Sequence, residues 1–270
     1  MTDTGGRPIG RWLALGLAIS LTTATVEGFL LARSTTEQTA ASPVQGTGLS
    51  QDRADVVATS SSQDLTYVIS TALRSVLSIQ ASSTRYDPFG GTSEVTGEAS
   101  GVILAEGLVI TNHHVIANAT EITVTFEDGE TAEASVLGSD ADLDLAVLSV
   151  PTGDRPAIEV GTSSSLQLGE TVVALGYPLG LGITATAGIV SGLDRSIDVT
   201  GPNGVEHLDG LLQTDAAINS GNSGGPLIDS SGALVGINTA GASAASAENI
   251  GFAIAIDRAL PLIREVAGTS

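Results

Sequence analysis

The sequence predicts an all-β protein of one or two compact units, on three observations. Short apolar runs follow one another from residue 75 onward, and tight-turn residues separate them. A chain of 270 residues with 42% hydrophobic content and 33 glycines can also bury a sizeable core. Strands at this spacing favour an antiparallel sandwich or barrel, and two small barrels sharing a cleft suit the length.

Residues 1–11 are short and polar, with Arg7 and Arg11 ahead of a mostly apolar run of 21 at residues 12–32, WLALGLAISLTTATVEGFLLA. That length just crosses a bilayer core as a helix. A signal peptide fits the same residues, with a basic start, an apolar core and small residues such as Ala24. The two arginines favour a cytoplasmic N-terminus and an extracytoplasmic remainder. The expectation is therefore a single-pass membrane anchor, or a secreted protein if the run is cleaved. Residues 33–63 are rich in Ser, Thr, Ala, Gln and Gly without hydrophobic periodicity, and read as a flexible tether.

From Asp64 the pattern changes. DLTYVISTALRSV carries apolar residues at helical spacing behind a capping aspartate, and SVLSIQ reads as the first strand. Residues 81–98 read as a Gly/Ser/Thr loop holding Tyr86, Pro88 and Phe89. GVIL and LVIT flank Ala105-Glu106-Gly107, and EITVTF and TAEASVLG flank Glu127-Asp128-Gly129-Glu130, which is a hairpin signal. LDLAVLSV closes the first unit, and Pro151 to Pro156 reads as the link. ETVVALG, ITATAGIVSG and LLQTD open the second; PLID and ALVGIN form another hairpin. A small-residue loop follows at residues 239–248, then the strand IGFAIAI and a closing helix with Pro261 near its first turn.

Candidate chemistry centres on residues 211–227, LLQTDAAINSGNSGGPL. The glycines around Ser223 permit a tight turn that can aim consecutive N–H groups, those of Gly221 and Ser223, at one point, as an oxyanion needs. A plain Gly/Ser/Asn/Pro turn is the alternative. A serine nucleophile needs a base, and the base an orienting carboxylate. LVITNHHVI at residues 108–116 ends an apolar strand in two of the chain's three histidines, His113 and His114. DADLDLAVLSV at residues 140–150 offers Asp140, Asp142 and Asp144; spacing does not choose among them, nor chemistry between the histidines. His207 reads as a solvated loop residue and Asp215 as structural. The order His, Asp, Ser is chymotrypsin-like. The α/β-hydrolases place acid and histidine after the serine, and no histidine follows Ser223.

TNHHV, DLDLAVL and GNSGGPL, followed by NIGFAIAID at residues 249–257, resemble the HtrA (DegP/DegS-like) family of trypsin-fold serine proteases, over residues 64–265. The resemblance is to the protease part, without a PDZ domain; residue 270 falls about where the family's PDZ module would begin. It implies two antiparallel six-stranded β-barrels of chymotrypsin/trypsin type with a short N-terminal and a C-terminal helix. The first barrel would cover residues 64–155, and the second, with the closing helix, residues 156–270. The motif form T-N-x-H-V makes His114 the base, and the aspartate ahead of L-A-V makes Asp144 its partner, with Ser223 as nucleophile. The position that selects basic residues in trypsin-like pockets lands on Ala217, and NIGFA, with Ile250, Gly251 and Phe252, lines a pocket wall. Small or medium aliphatic residues are then the expected cleavage preference. The family further implies unfolded or damaged polypeptides as substrates, in extracytoplasmic quality control, and a homotrimer. A latent or chaperone-like binder with the protease fold, and esterase chemistry on the same triad, are the alternatives.

Composition limits the rest. There are no cysteines, so neither disulfides nor thiolate metal sites are available, and no cofactor or metal is expected. The net charge of −20, with ten arginines and no lysine, argues against a nucleic-acid partner. It suits a salt-rich setting, where self-repulsion is screened; a GC-rich coding bias, which exchanges lysine for arginine, is the alternative. Because the base must be neutral, activity is expected to fall as pH drops below about 6.5, the reference histidine value.

Overall fold

The computed structural model describes residues 65–86, 91–177, 182–201, 204–239 and 249–268. The polar N-terminus, the apolar run 12–32, the tether 33–63, the capping Asp64, the loop residues Pro88 and Phe89, and the small-residue loop 240–248 lie outside the described residues.

Helix α1, Leu65–Leu73, precedes seven strands: β1 Val76–Tyr86, β2 Thr92–Ala105, β3 Leu108–Thr111, β4 Glu121–Thr125, β5 Thr131–Glu133, β6 Ser135–Asp140 and β7 Leu145–Ser149. One helical turn, α2 His113–Ile116, follows β3. The strands pair in the order β5-β4-β1-β2-β3-β7-β6. Six more follow: β8 Thr171–Gly176, β9 Thr184–Gly201, β10 Gly204–Thr214, β11 Pro226–Asp229, β12 Leu234–Thr239 and β13 Gly251–Ala255. These close into a barrel in the order β10-β13-β12-β11-β8-β9. Helix α3, Ile256–Gly268, ends the described chain.

Of the two six-stranded antiparallel barrels expected, the second closes as such, while the strands of the first unit pair as one antiparallel sheet. The first sheet has seven strands rather than six because TAEASVLG breaks at Ala134, whose N–H turns to the Ile122 carbonyl (2.9 Å). Its two halves become the two edges of the sheet, joined by the chain itself. Residues 81–98 are mostly not a loop: β1 and β2 stay in register from Val76↔Val102 to Tyr86↔Thr92. Exposure of residues 92–98 removes the apolar alternation that would have betrayed a strand. His207 likewise sits on strand β10, paired with Asp198 on β9, rather than in a loop.

Three apolar clusters explain the continuous hydrophobic runs. Alternate residues of β7 face opposite ways: Ala146 and Leu148 fill the first sheet's interior, while Leu145 and Val147 face the second unit. In β8, Val172 and Ala174 fill the barrel while Val173 and Leu175 join Leu145 and Val147 in the shared cluster. A strand buried on both faces reads as an unbroken apolar run. Helices α1 and α3 cover this middle layer through Val68, Ala72, Ala259 and Leu262. The junction between the sheets is therefore a packed core, and polar side chains at its rim are held rigidly.

Candidate active site

Asp144 comes into place through the turn between β6 and β7. Asp140 closes that turn, its Oδ1 accepting the N–H groups of Asp142 and Leu143 at 3.0 Å each. The chain then reaches Asp144 in the left-handed region, φ +53, which is costly for a residue with a side chain. Hydrogen bonds offset that cost. The Asp144 carbonyl accepts the His113 N–H (3.1 Å) and the Asn112 carboxamide (2.9 Å). Its carboxylate accepts the His114 N–H (2.9 Å) and the Thr239 hydroxyl (3.2 Å), the latter reaching across from the second barrel.

The same carboxylate meets His114 Nδ1, at 3.0 Å from Oδ1 and 2.8 Å from Oδ2. An ionised carboxylate only accepts, so against it the ring proton sits on Nδ1 and Nε2 is left as the acceptor. Asp144 is 3% exposed while the His114 side chain is 42% exposed: one partner is locked and the other is open to a reactant. The histidine pair lies not on a strand end but at the start of α2, after Asn112 in extended conformation. In that turn His113 contributes its N–H to Asp144 while its ring Nδ1 is buried without a partner. The Asp142 N–H is spent inside the turn, on Asp140 Oδ1, and it is the Asp144 carboxylate that meets the His114 ring.

Ser223 lies in the turn between β10 and β11 and is 5% exposed. Its carbonyl accepts the Ser100 N–H (2.8 Å), and the Gly221 carbonyl accepts the Ser100 hydroxyl (2.6 Å). Gly224 and Gly225 tie the turn to β12: the Gly224 N–H donates to the Asn238 carbonyl (2.9 Å), and the Asn238 N–H donates to the Gly225 carbonyl (2.8 Å). The Asn238 side chain, fully buried, donates to the Leu175 and Pro226 carbonyls at 3.0 Å. Gly224 has φ +79, and a Cβ there would fall 2.2 Å from both the Ser100 carbonyl and the Thr111 hydroxyl. Thr111 is three residues before His114, and Thr239 follows Asn238. The serine turn and the His114–Asp144 pair thus meet at one junction of the two sheets.

The other candidate positions cluster around β10 and β13, where Thr214 pairs with Gly251 and Gln213 with Phe252. The Ala217 carbonyl accepts the Thr186 hydroxyl (2.8 Å) and the Asn222 carboxamide (3.3 Å). A Cβ on Gly251 would lie 3.0 Å from the Ala216 carbonyl and the Ile218 side chain. Ile250 is 40% exposed and Phe252 8%. Asp215 accepts the Ile189 N–H at 2.7 Å and so ties the turn to β9. His207 is exposed and pairs with Asp198 at 2.7 Å. Sequence reasoning passed over Asn112, Thr239, Asn238 and Ser100; the available signal was a buried polar residue within or ending an apolar strand.

A serine turn on one antiparallel sheet and a histidine–carboxylate pair on another, brought to one junction, fit the layout of trypsin-like serine hydrolases. The family described as "Trypsin-like peptidase domain" matches residues 99–237. Serine protease Do-like HtrB of Bacillus subtilis is 44% identical over 174 residues, 62% of this chain and 38% of that protein. Serine protease PepD of Mycobacterium tuberculosis is 44% identical over 194 residues, 64% of this chain and 41% of that one. Among solved structures, the HtrA-type protease AlgW with decapeptide superposes with a TM-score of 0.63 at 34% identity, covering 74% of this chain and 66% of its own. The chain belongs to the trypsin-like peptidases and, within them, to the HtrA-type proteases. It spans less than half the length of the curated relatives it matches.

Proposed function

We propose that this chain is a serine endopeptidase in which Ser223 is the nucleophile, His114 the general base and Asp144 its orienting partner. The observation that carries the reading is the 2.8 Å contact between His114 Nδ1 and a buried Asp144 carboxylate, which leaves Nε2 as the proton acceptor. His114 takes the Ser223 proton as the hydroxyl attacks the peptide carbonyl, then gives it to the departing amine; water completes the cycle through the same base. The N–H groups of Gly221 and Ser223 are assigned to the oxyanion, each worth roughly 10²–10³ in turnover in such sites. Ala217, Ile250, Gly251 and Phe252 are assigned to substrate binding. With no acid at Ala217, cleavage after small or medium aliphatic residues is expected.

Unfolded or damaged polypeptides are the proposed substrates, in extracytoplasmic quality control. The apolar run 12–32 supports membrane targeting, as an anchor or a cleaved leader; among the described residues no helix is long and apolar enough to cross a membrane. Carbonate extraction and N-terminal sequencing of the mature protein test that placement, and sedimentation tests a homotrimer.

The activity test incubates the purified chain and its Ser223→Ala variant with casein, with mass analysis of the fragments. Internal cleavage by the wild type alone is expected. Equal cutting by both would remove Ser223 from the mechanism, and no cutting by either would favour a latent, chaperone-like binder.

A further inference from the structure

Ser100 lies on β2 and is 0% exposed. A buried hydroxyl costs free energy unless its donor and acceptor are both used. Here the hydroxyl donates to the Gly221 carbonyl at 2.6 Å and accepts the Tyr177 N–H at 2.7 Å. The backbone of the same residue donates to the Ser223 carbonyl at 2.8 Å, and its carbonyl accepts the Thr111 hydroxyl at 2.8 Å. Its polar groups therefore reach the serine turn, the segment leaving β8 and the strand that leads to His114.

We infer that Ser100 is the positioning residue of the oxyanion site, acting through the carbonyls on either side of Asn222; this rests on the protease reading above. Gly221 has φ +96, so its own conformational preference does little to restrain the peptides that flank it. A buried hydrogen bond to its carbonyl supplies the restraint. The Asn222 N–H is tied to the Asn219 carbonyl at 3.0 Å, so both polar groups of the Gly221–Asn222 peptide are held, one from each edge. The order Tyr177 N–H, Ser100 O–H, Gly221 C=O is also a chain in which each hydrogen bond polarises the next. It ties the exit of β8 to the Gly221–Asn222 peptide, and so fixes the Gly221 Cα that carries the oxyanion N–H on its other side. Preorganised donors stabilise an oxyanion without reorganising during reaction, and a hydroxyl in the other sheet provides that preorganisation.

The test compares the full chain with Ser100→Ala and Ser100→Cys. Active sites are counted with a fluorophosphonate, and kcat and KM are measured per titrated site on a fluorogenic peptide with an aliphatic residue at the cleaved position. Ser100→Ala is expected to lower kcat by about tenfold to a hundredfold with KM nearly unchanged. Binding of a peptide aldehyde, which forms a tetrahedral adduct, should weaken by a similar factor. The acid limb of the pH profile should not move, because the His114–Asp144 pair is untouched. Ser100→Cys keeps the volume and a weak donor, so it should fall in between; it carries the comparison if the alanine variant does not fold. Surviving sites that turn over at the wild-type rate, with only a lower melting temperature, would overturn the assignment. So would a rise in KM alone or a shifted acid limb. A wild type that takes no titrant and cuts nothing sinks the protease reading and this role with it. A labelled wild type beside an equally fast Ser100→Ala sinks this role alone.

Discussion

Gly224 leaves no room for a side chain, and its neighbours cannot yield: one is the Ser100 backbone carbonyl and the other the hydroxyl of fully buried Thr111. Gly224→Ala adds overpacking to a strained φ and should cost about 2 kcal/mol or more by urea unfolding, with turnover lost as well. Gly129→Ala, at φ +84 with nothing within 4 Å of the new atom, carries the backbone strain alone. It should cost about 1–2 kcal/mol; equal losses in the two variants would show that packing at Gly224 contributes nothing. Thr239→Val tests the grip on Asp144. It removes the 3.2 Å hydrogen bond to Oδ2 at nearly constant volume, and a hydrogen bond to a charged group is worth about 1.5–3 kcal/mol. At least about a tenfold fall in kcat is expected; unchanged turnover would mean that His114 alone orients the carboxylate. His114, Asp144 and Ser223 were legible because each stands inside a short motif. Thr239 and Ser100 were not, since their partners lie 95 and 121 residues away and no local pattern encodes that proximity.

At the scale of elements, the strands that face two cores were the easiest to read, and those that face water the hardest. LAVLS and TVVALG announce themselves because both faces are buried. The outer half of β2 is mostly Ser, Thr and Glu exposed to water, and only its ladder with β1 makes it a strand. The turn α2 was missed because four residues are too few to show a helical period. Helix α3 was expected, but its anchor was not. The Asp257 carboxylate accepts the N–H groups of Ser164 (2.9 Å) and Ser163 (3.4 Å), at the start of a 3-10 turn, Ser163–Ser165, while the Asp257 N–H donates to the Ser163 hydroxyl (3.1 Å). Burial acts to raise the Asp257 carboxyl, and the hydrogen bonds from Ser164 and Ser163 outweigh it, leaving it below the ordinary carboxylate range. A folded-state value below the unfolded one stabilises the fold above the unfolded carboxylate value, about 3.9, and that contribution fades as pH falls through the folded value. Asp257→Asn should therefore lower the urea midpoint at pH 7, and the gap to wild type should close as pH drops below about 4. A gap independent of pH would assign the loss to packing.

For the whole molecule, charge sets the balance with solvent. Thirty carboxylates face ten arginines and no lysine, a net charge of −20. Two unit charges 10 Å apart in water repel by about 0.4 kcal/mol, and a surface this acidic holds many such pairs. Attractive pairs oppose them: Arg155 with Asp128 and Glu130 at 2.6 and 2.7 Å, and Arg258 with Asp209 at 2.5 Å. Exposed pairs of this kind contribute little to stability, and those among the described residues do not outweigh the repulsion. Salt screens both kinds, with a Debye length of about 3 Å at 1 M, so the larger sum decides the sign and the fold should gain stability. The melting temperature is expected to rise by about 3–10 °C between about 10 mM and 1 M sodium chloride. Tetramethylammonium chloride at equal ionic strength should give a similar rise, since screening does not depend on the cation. Arg155→Met removes two attractive pairs, takes the net charge from −20 to −21 and leaves an apolar chain over Phe126, where the guanidinium now sits 3.7 Å from the ring centroid. Its melting temperature should be lower than wild type in dilute buffer and should recover part of that difference in molar salt. A wild-type midpoint that stays flat or falls with salt would mean that repulsion does not govern this fold.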